Sequence, residues 1–264
     1  MRNTLDFPDL LRLIDERSAA FRAAVAAAPS LDVRVPTCPE WTLFDLVQHL
    51  GEGRRAWAAT IAAGPDAAAK SAPRGDASAP RERQALPAWL TASTQELLDA
   101  LREAGPDRGC WTWWGRSQSP RTCGAVARHQ LQEIAVHTYD AQLTVGAPQP
   151  LPDEVALDGV EEFLSTICTT TVAWPHEPAR VDYHAAEGRS WRNRLSGDGA
   201  RLDRLPGSGT GPTAGEEPDA ADASARGTAN ELVLGFYGRI PLNSLKLEGN
   251  ERIFDQLVAW DPEQ

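Results

Sequence analysis

From residue 7 to about 28, apolar side chains return every three or four positions, at Leu10, Leu13, Ile14, Phe21 and Val25, until Pro29 interrupts them. That is the repeat of one helix face, and it predicts a first helix. A proline-punctuated run, Val35-Pro36-Thr37-Cys38-Pro39-Glu40-Trp41, reads as extended chain. Thr42 then offers a hydroxyl to a free first-turn amide, and Asp45 complements the positive helix end. They open a second helix with the stripe Leu43, Leu46, Val47, Leu50, Trp57 and Ile61. From 64 to 84 no period survives among Ala, Pro, Gly, Asp and Arg, as expected of a mobile loop. Helices at about 87–103 and 123–145 follow, the second stopped by Gly146 and Pro148, with an aromatic loop, Cys110-Trp111-Thr112-Trp113-Trp114-Gly115, between them. Four helices of this length predict a four-helix bundle over residues 1–150.

Beyond Pro152 the pattern changes. A helix near 153–170 leads into two alternating segments, 179–186 and 190–196, joined by Glu187-Gly188-Arg189 as a hairpin. Residues 205–217 are rich in Gly, Pro, Ser and Thr and read as a flexible excursion. A strand near 219–226, a helix at 229–237, a short strand at 245–248 and a helix at 252–260 complete an α+β domain over 151–264.

Composition narrows the function. With 24% charged and 42% hydrophobic residues in a chain of 264, a folded protein with real cores is expected. A net charge of -11 lacks the concentrated basic surface that nucleic acid requires, so a small-molecule ligand is the expected partner. No apolar run approaches the roughly 18 residues that span a bilayer, and residues 1–10 lack the order of a signal peptide. The expectation is therefore a cytoplasmic protein with no membrane partner, as a monomer or small homo-oligomer. Cys38, Cys110, Cys123 and Cys168 are scattered without a C-x-x-C pair and read as reduced, packing thiols.

Glu133 and His137 stand four apart on the fourth helix, which places them on one face a turn apart. His49, on the flank of the second helix's stripe, could supply a third donor from another element. Two imidazoles and a carboxylate are the ligand set of an open catalytic zinc site, and they could equally hold iron, nickel or manganese. The spacing also fits a surface Glu–His pair worth a few tenths of a kcal/mol. His129, four residues before Glu133, extends the same row and is expected on the solvent side. The tryptophans Trp41, Trp111, Trp113 and Trp114 fit a core at least as well as a cleft.

Three motifs decide between these readings. Residues 35–50, Val-Pro-Thr-Cys-Pro-Glu-Trp-Thr-Leu-Phe-Asp-Leu-Val-Gln-His-Leu, resemble the opening motif of the mycothiol-dependent maleylpyruvate isomerase family, a branch of the DinB-like metalloenzymes. Arg128-His-Gln-Leu-Gln-Glu133-Ile-Ala-Val-His137-Thr-Tyr-Asp140 resembles its second motif, and Glu231-Leu-Val-Leu-Gly-Phe-Tyr-Gly-Arg239-Ile-Pro the signature of its C-terminal domain. Thr138 departs from the arginine common at its position. The resemblance implies a DinB-type four-helix bundle, zinc on His49, Glu133 and His137, a sterol-carrier-like α+β C-terminal domain, and mycothiol as co-substrate.

A thiol at such a zinc site loses its proton and becomes a nucleophile. Addition to a small electrophile, rotation and expulsion would isomerise a cis double bond, while release of the adduct would make an S-transferase. Arg239 is the candidate catalytic residue of the C-terminal domain, a planar cation suited to a substrate or mycothiol carboxylate. Asp140 is a candidate for orienting a bound group beside His137. A hydrolase using zinc-bound water and a non-catalytic metal-binding module are the alternatives.

Overall fold

The computed structural model describes residues 5–67, 78–206 and 220–260. It divides into two compact units, Met1–Gly115 with Pro120–Leu151, and Arg116–Ser119 with Pro152–Gln264.

In the first unit α1 (Phe7–Ala27), α2 (Leu43–Ala63), α3 (Leu86–Ala104) and α4 (Cys123–Thr144) form a bundle in which α1 packs on α4 and α2 on α3. Each helix begins and ends where its sequence supplies a stop. Asp6 caps α1, and Thr42 and Asp45 form a reciprocal capping box on α2. Gly64, at positive φ, closes α2, and Gly105 does the same for α3. The stripe expected on α2 is buried throughout, from Leu43 to Ile61. α4 is buried on nearly every side, which places it at the centre of the unit. The extended run before α2 becomes a small antiparallel hairpin, β1 (Arg34–Val35) and β2 (Cys38–Thr42), which touches α2 and α4.

The second unit begins with α5 (Asp153–Thr166) and contains β3 (Ala179–Ala185), β4 (Ser190–Ser196), β5 (Gly199–Leu205) and β6 (Ala223–Gly227), then α6 (Ala229–Phe236), β7 (Lys246–Gly249) and α7 (Arg252–Ala259). The sheet order is β5-β4-β3-β6-β7, with β3 and β6 parallel and the other pairs antiparallel. One face carries Val181, Tyr183, Trp191 and Leu195, all buried. Helices close it, with Tyr183 against Phe236 and Phe254, and the Trp191 indole donating to Glu161 on α5.

The molecule is thus mixed helix and sheet. Two details differ from the sequence expectation. Strand β5 lies at 199–205, where arginine and aspartate at alternate positions gave no hydrophobic signal because this is an edge strand with much of one side exposed. The helix after Pro152 ends at Thr166 rather than near 170. The loop expected at 64–84 and the excursion at 205–217 fall partly outside the described residues. Among the described residues no helix is long and apolar enough to cross a membrane.

Candidate metal centre

α4 runs through the middle of its unit, so its polar side chains must find partners inside the protein. Thr138 returns its hydroxyl to the Ile134 carbonyl at 2.6 Å. Asp140 is fully buried, and both of its carboxylate oxygens are engaged. Its Oδ1 accepts from the Thr37 hydroxyl at 2.6 Å, and its Oδ2 lies 2.8 Å from Nδ1 of His137. A carboxylate has no proton to give, so Nδ1 of His137 carries the hydrogen and the lone pair of the ring is left on Nε2. Nε2 faces Glu133, 3.8 Å from its Oε1.

His49 approaches the same oxygen from α2, with Nε2 at 2.8 Å. The three donor atoms of His49, Glu133 and His137 all lie within 4.8 Å of one another. That spread is close to the reach of two metal–ligand bonds of roughly 2.0–2.2 Å. The side chains of His49 and Glu133 remain 38% and 30% accessible, so the cluster can be entered from solvent, while His137 is held deeper at 11%. Trp41, delivered by β2, lies over both rings, at 4.8 Å from His49 and 6.2 Å from His137.

Burial by itself would raise the pKa of the Glu133 carboxyl. The hydrogen bond from His49 and the electrostatic influence of the His137, His129 and His49 rings outweigh that and hold it well below the ordinary carboxylate range. It is therefore an anionic donor. Arg54, buried on α2, is pushed down to about 10, chiefly by burial, with Glu133 among the charges that hold it up. Its guanidinium is tied at 2.7 Å to Thr94 and 3.0 Å to Ser18.

The donors fit a divalent cation. Two imidazoles and a carboxylate match the borderline preference of zinc, one imidazole is fixed by a buried carboxylate on its far nitrogen, and one side stays open.

His129 does not face solvent. It is half-buried against Trp57, Trp113 and Trp114, at 6.2, 5.7 and 5.1 Å between rings, and outside the three-donor cluster. Of the tryptophans, Trp114 is core, Trp113 is partly exposed, and Trp41 stands at the cluster itself. Arg239 belongs to the second unit, just beyond α6, where its Nη1 donates to the Tyr237 carbonyl at 2.7 Å. Thr37 and Arg54 had no local sequence signal, since their partners lie far along the chain.

Comparison with known proteins agrees with this architecture. No curated protein matches the sequence. Among the crystal structures that match its fold, one is described as the mycothiol-dependent maleylpyruvate isomerase and another as a histidine-to-alanine mutant of it. Each has a TM-score of 0.54 over 92% of this chain and 93% of the other, at 14% and 13% identity respectively. At that identity the likeness establishes the fold. Residues 11–142 match the mycothiol maleylpyruvate isomerase N-terminal domain, and residues 154–256 match the corresponding C-terminal domain. With both domains present in order, the chain belongs to the mycothiol maleylpyruvate isomerase family.

Proposed function

We propose that this chain is a cytoplasmic zinc-dependent enzyme that activates mycothiol for addition to a small electrophile, as a maleylpyruvate-type cis–trans isomerase or a thiol S-transferase. The observation that carries the reading is the convergence of His49, Glu133 and His137 on one half-open point. The units are read as a DinB-type bundle over 1–150 and a sterol-carrier-like domain over 151–264. His49, Glu133 and His137 would hold a zinc ion, which would supply a Lewis-acid position able to acidify a thiol.

The residues of the chain do the rest. Glu133 would cancel one of the two positive charges of a divalent cation held there, leaving a site that would favour one anion. Thr37 and Asp140 fix the ring of His137 and its tautomer. Trp41 lies beside both imidazoles, 4.8 Å from His49 and 6.2 Å from His137. Asp140 thus acts on a ligand rather than on mycothiol directly. Arg239 is assigned the carboxylate of the electrophile or of mycothiol, with the enolate that develops on thiolate addition as a further partner. Addition of the thiolate turns the double bond into a single bond, rotation follows, and expulsion of the thiolate yields the trans product.

Metal analysis of the purified protein, followed by turnover of maleylpyruvate and generic electrophiles with and without mycothiol, tests this. One zinc per chain and strict thiol dependence are expected. Turnover without a thiol would replace the reading by a hydrolase, and metal that persists after alanine replacement of all three donors would refute the site.

A further inference from the structure

Along α4 the row His129, Glu133, His137 advances one turn at a time, about 6 Å per step, on one side of the helix. Trp41 stands at the His137 end of that row. At the other end four tryptophans gather that the proposed function does not use: Trp57 of α2, and Trp111, Trp113 and Trp114 of the loop ahead of α4. The group is layered. Trp57 and Trp114 are buried, 5.9 Å apart between ring centres. Against them rest Trp111, 6.3 Å from Trp57, and Trp113, nearly perpendicular to Trp114 at 5.2 Å and 5.7 Å from His129. Trp111 and His129 are half-buried, and Trp113 keeps 38% of its surface exposed. Two core rings thus hold three partly open ones, which a solute reaches without disturbing the core.

This aromatic wall adjoins the donor cluster. His49 of α2 meets Glu133, and Trp57, further along α2, meets His129, one turn back along α4. The two helices therefore run in opposite directions, and both contacts lie on one seam. Gly53 is the α2 residue midway between His49 and Trp57. It is half-buried, and a side-chain carbon built on it would meet nothing within 4 Å. The seam is left unfilled at that point, between the donors and the rings.

We propose that Trp111, Trp113 and His129 form a subsite for an aryl or other flat conjugated group carried by the electrophile beside its reacting double bond. The inference rests on the proposed thiol chemistry at His49, Glu133 and His137 and names the substrate class of that site. One helical turn separates Glu133 from His129, a reach that suits a substituent attached directly to the double bond under attack. Indole rings take a flat apolar group through buried area and through offset or edge-to-face contact. A small dicarboxylate without such a group gains nothing from this surface, whereas a conjugated one is held flat against it with its activating carbonyl in plane with the double bond.

The test uses the full-length protein supplied with zinc, mycothiol, and two cis electrophiles that differ in one substituent, benzoylacrylate with a phenyl ring and acetylacrylate with a methyl group. The wild-type protein should favour benzoylacrylate. Trp113→Ala should raise the KM of benzoylacrylate relative to that of acetylacrylate by about 10-fold, the effect of one lost ring contact, with metal content and the KM of mycothiol unmoved. Trp113→Phe, which keeps a ring, should recover most of the difference. Binding is read apart from turnover with benzoylpropionate, which has the ring and no double bond to attack. It should quench tryptophan fluorescence and shift the indole N–H resonance of Trp113, while levulinate, its methyl counterpart, should do neither. Binding of benzoylpropionate at Trp113 without any thiol-dependent turnover would count against the thiol chemistry and for the subsite. Equal KM values for the two electrophiles with no response at Trp113 would overturn the subsite and leave the thiol chemistry intact. A Trp113→Ala effect confined to the KM of mycothiol would assign the wall to the thiol and equally overturn the proposal.

Discussion

Two polar clusters, one in each unit, handle buried charge in opposite ways. On the sheet, Asp182 of β3 and Arg192 of β4 stand directly opposite each other, joined by two hydrogen bonds of 2.6 and 2.7 Å with both side chains below a tenth exposed. The fork of the guanidinium matches both carboxylate oxygens. In the bundle, one oxygen of Glu133 faces two histidines, His49 at 2.8 Å and His137 at 3.8 Å, and the cluster is half-open. The pair on the sheet completes itself and anchors structure. The triad brings three donor groups to a common point and supports one of them, His137, from behind through Asp140 and Thr37, an arrangement that makes chemical sense when something else binds there.

The largest effect expected from breaking this contrast follows Glu133→Gln. It should weaken metal binding by more than about 100-fold, because a carboxylate donor is replaced by a neutral amide. Competition with a chelator measures it, and unfolding by urea should show little change. Asp182→Ala leaves the Arg192 charge buried and uncompensated, at a cost of about 3–5 kcal/mol. Chemical denaturation should report that loss with metal content unaltered, and the double replacement Asp182→Leu with Arg192→Met should recover most of it. If the single change costs under about 1 kcal/mol, the pair is not an anchor.

Thr37→Val sharpens the comparison from the other side. It removes the hydroxyl that holds Asp140, and a drop of about 10-fold in metal affinity is expected, the lower end for a residue supporting a ligand. Thr37→Ser should restore it. The smallest effect belongs to Asp203→Asn. Its 2.8 Å pair with Arg194 is about half exposed on both sides, so the loss should stay under about 1 kcal/mol and shrink further in high salt.

Much of the helical architecture was legible locally. Leu43, Leu46, Leu50 and Ile61 repeat with the helix period, and Thr42 with Asp45 marks the start, since capping depends on residues three apart. β5 was not legible, because Arg201, Asp203 and Arg204 on an edge strand carry no apolar alternation. His129 was misread for a different reason. It lies on the row of Glu133, but whether solvent, a metal or aromatic rings stands opposite that row depends on Trp57 and on a loop from elsewhere in the chain.

By itself the sequence determined the periods, the caps and the one-turn spacing of Glu133 and His137, all properties of a helix about its own axis. Three motifs in order also made the family recognisable. Only the tertiary structure decided which groups meet: His49 opposite Glu133, Thr37 bound to an Asp140 that lies 103 positions away, His129 among tryptophans, and Asp182 facing Arg192. A local pattern sets the direction in which a side chain leaves its element, whereas the neighbour it finds there is chosen by the packing of elements distant in sequence.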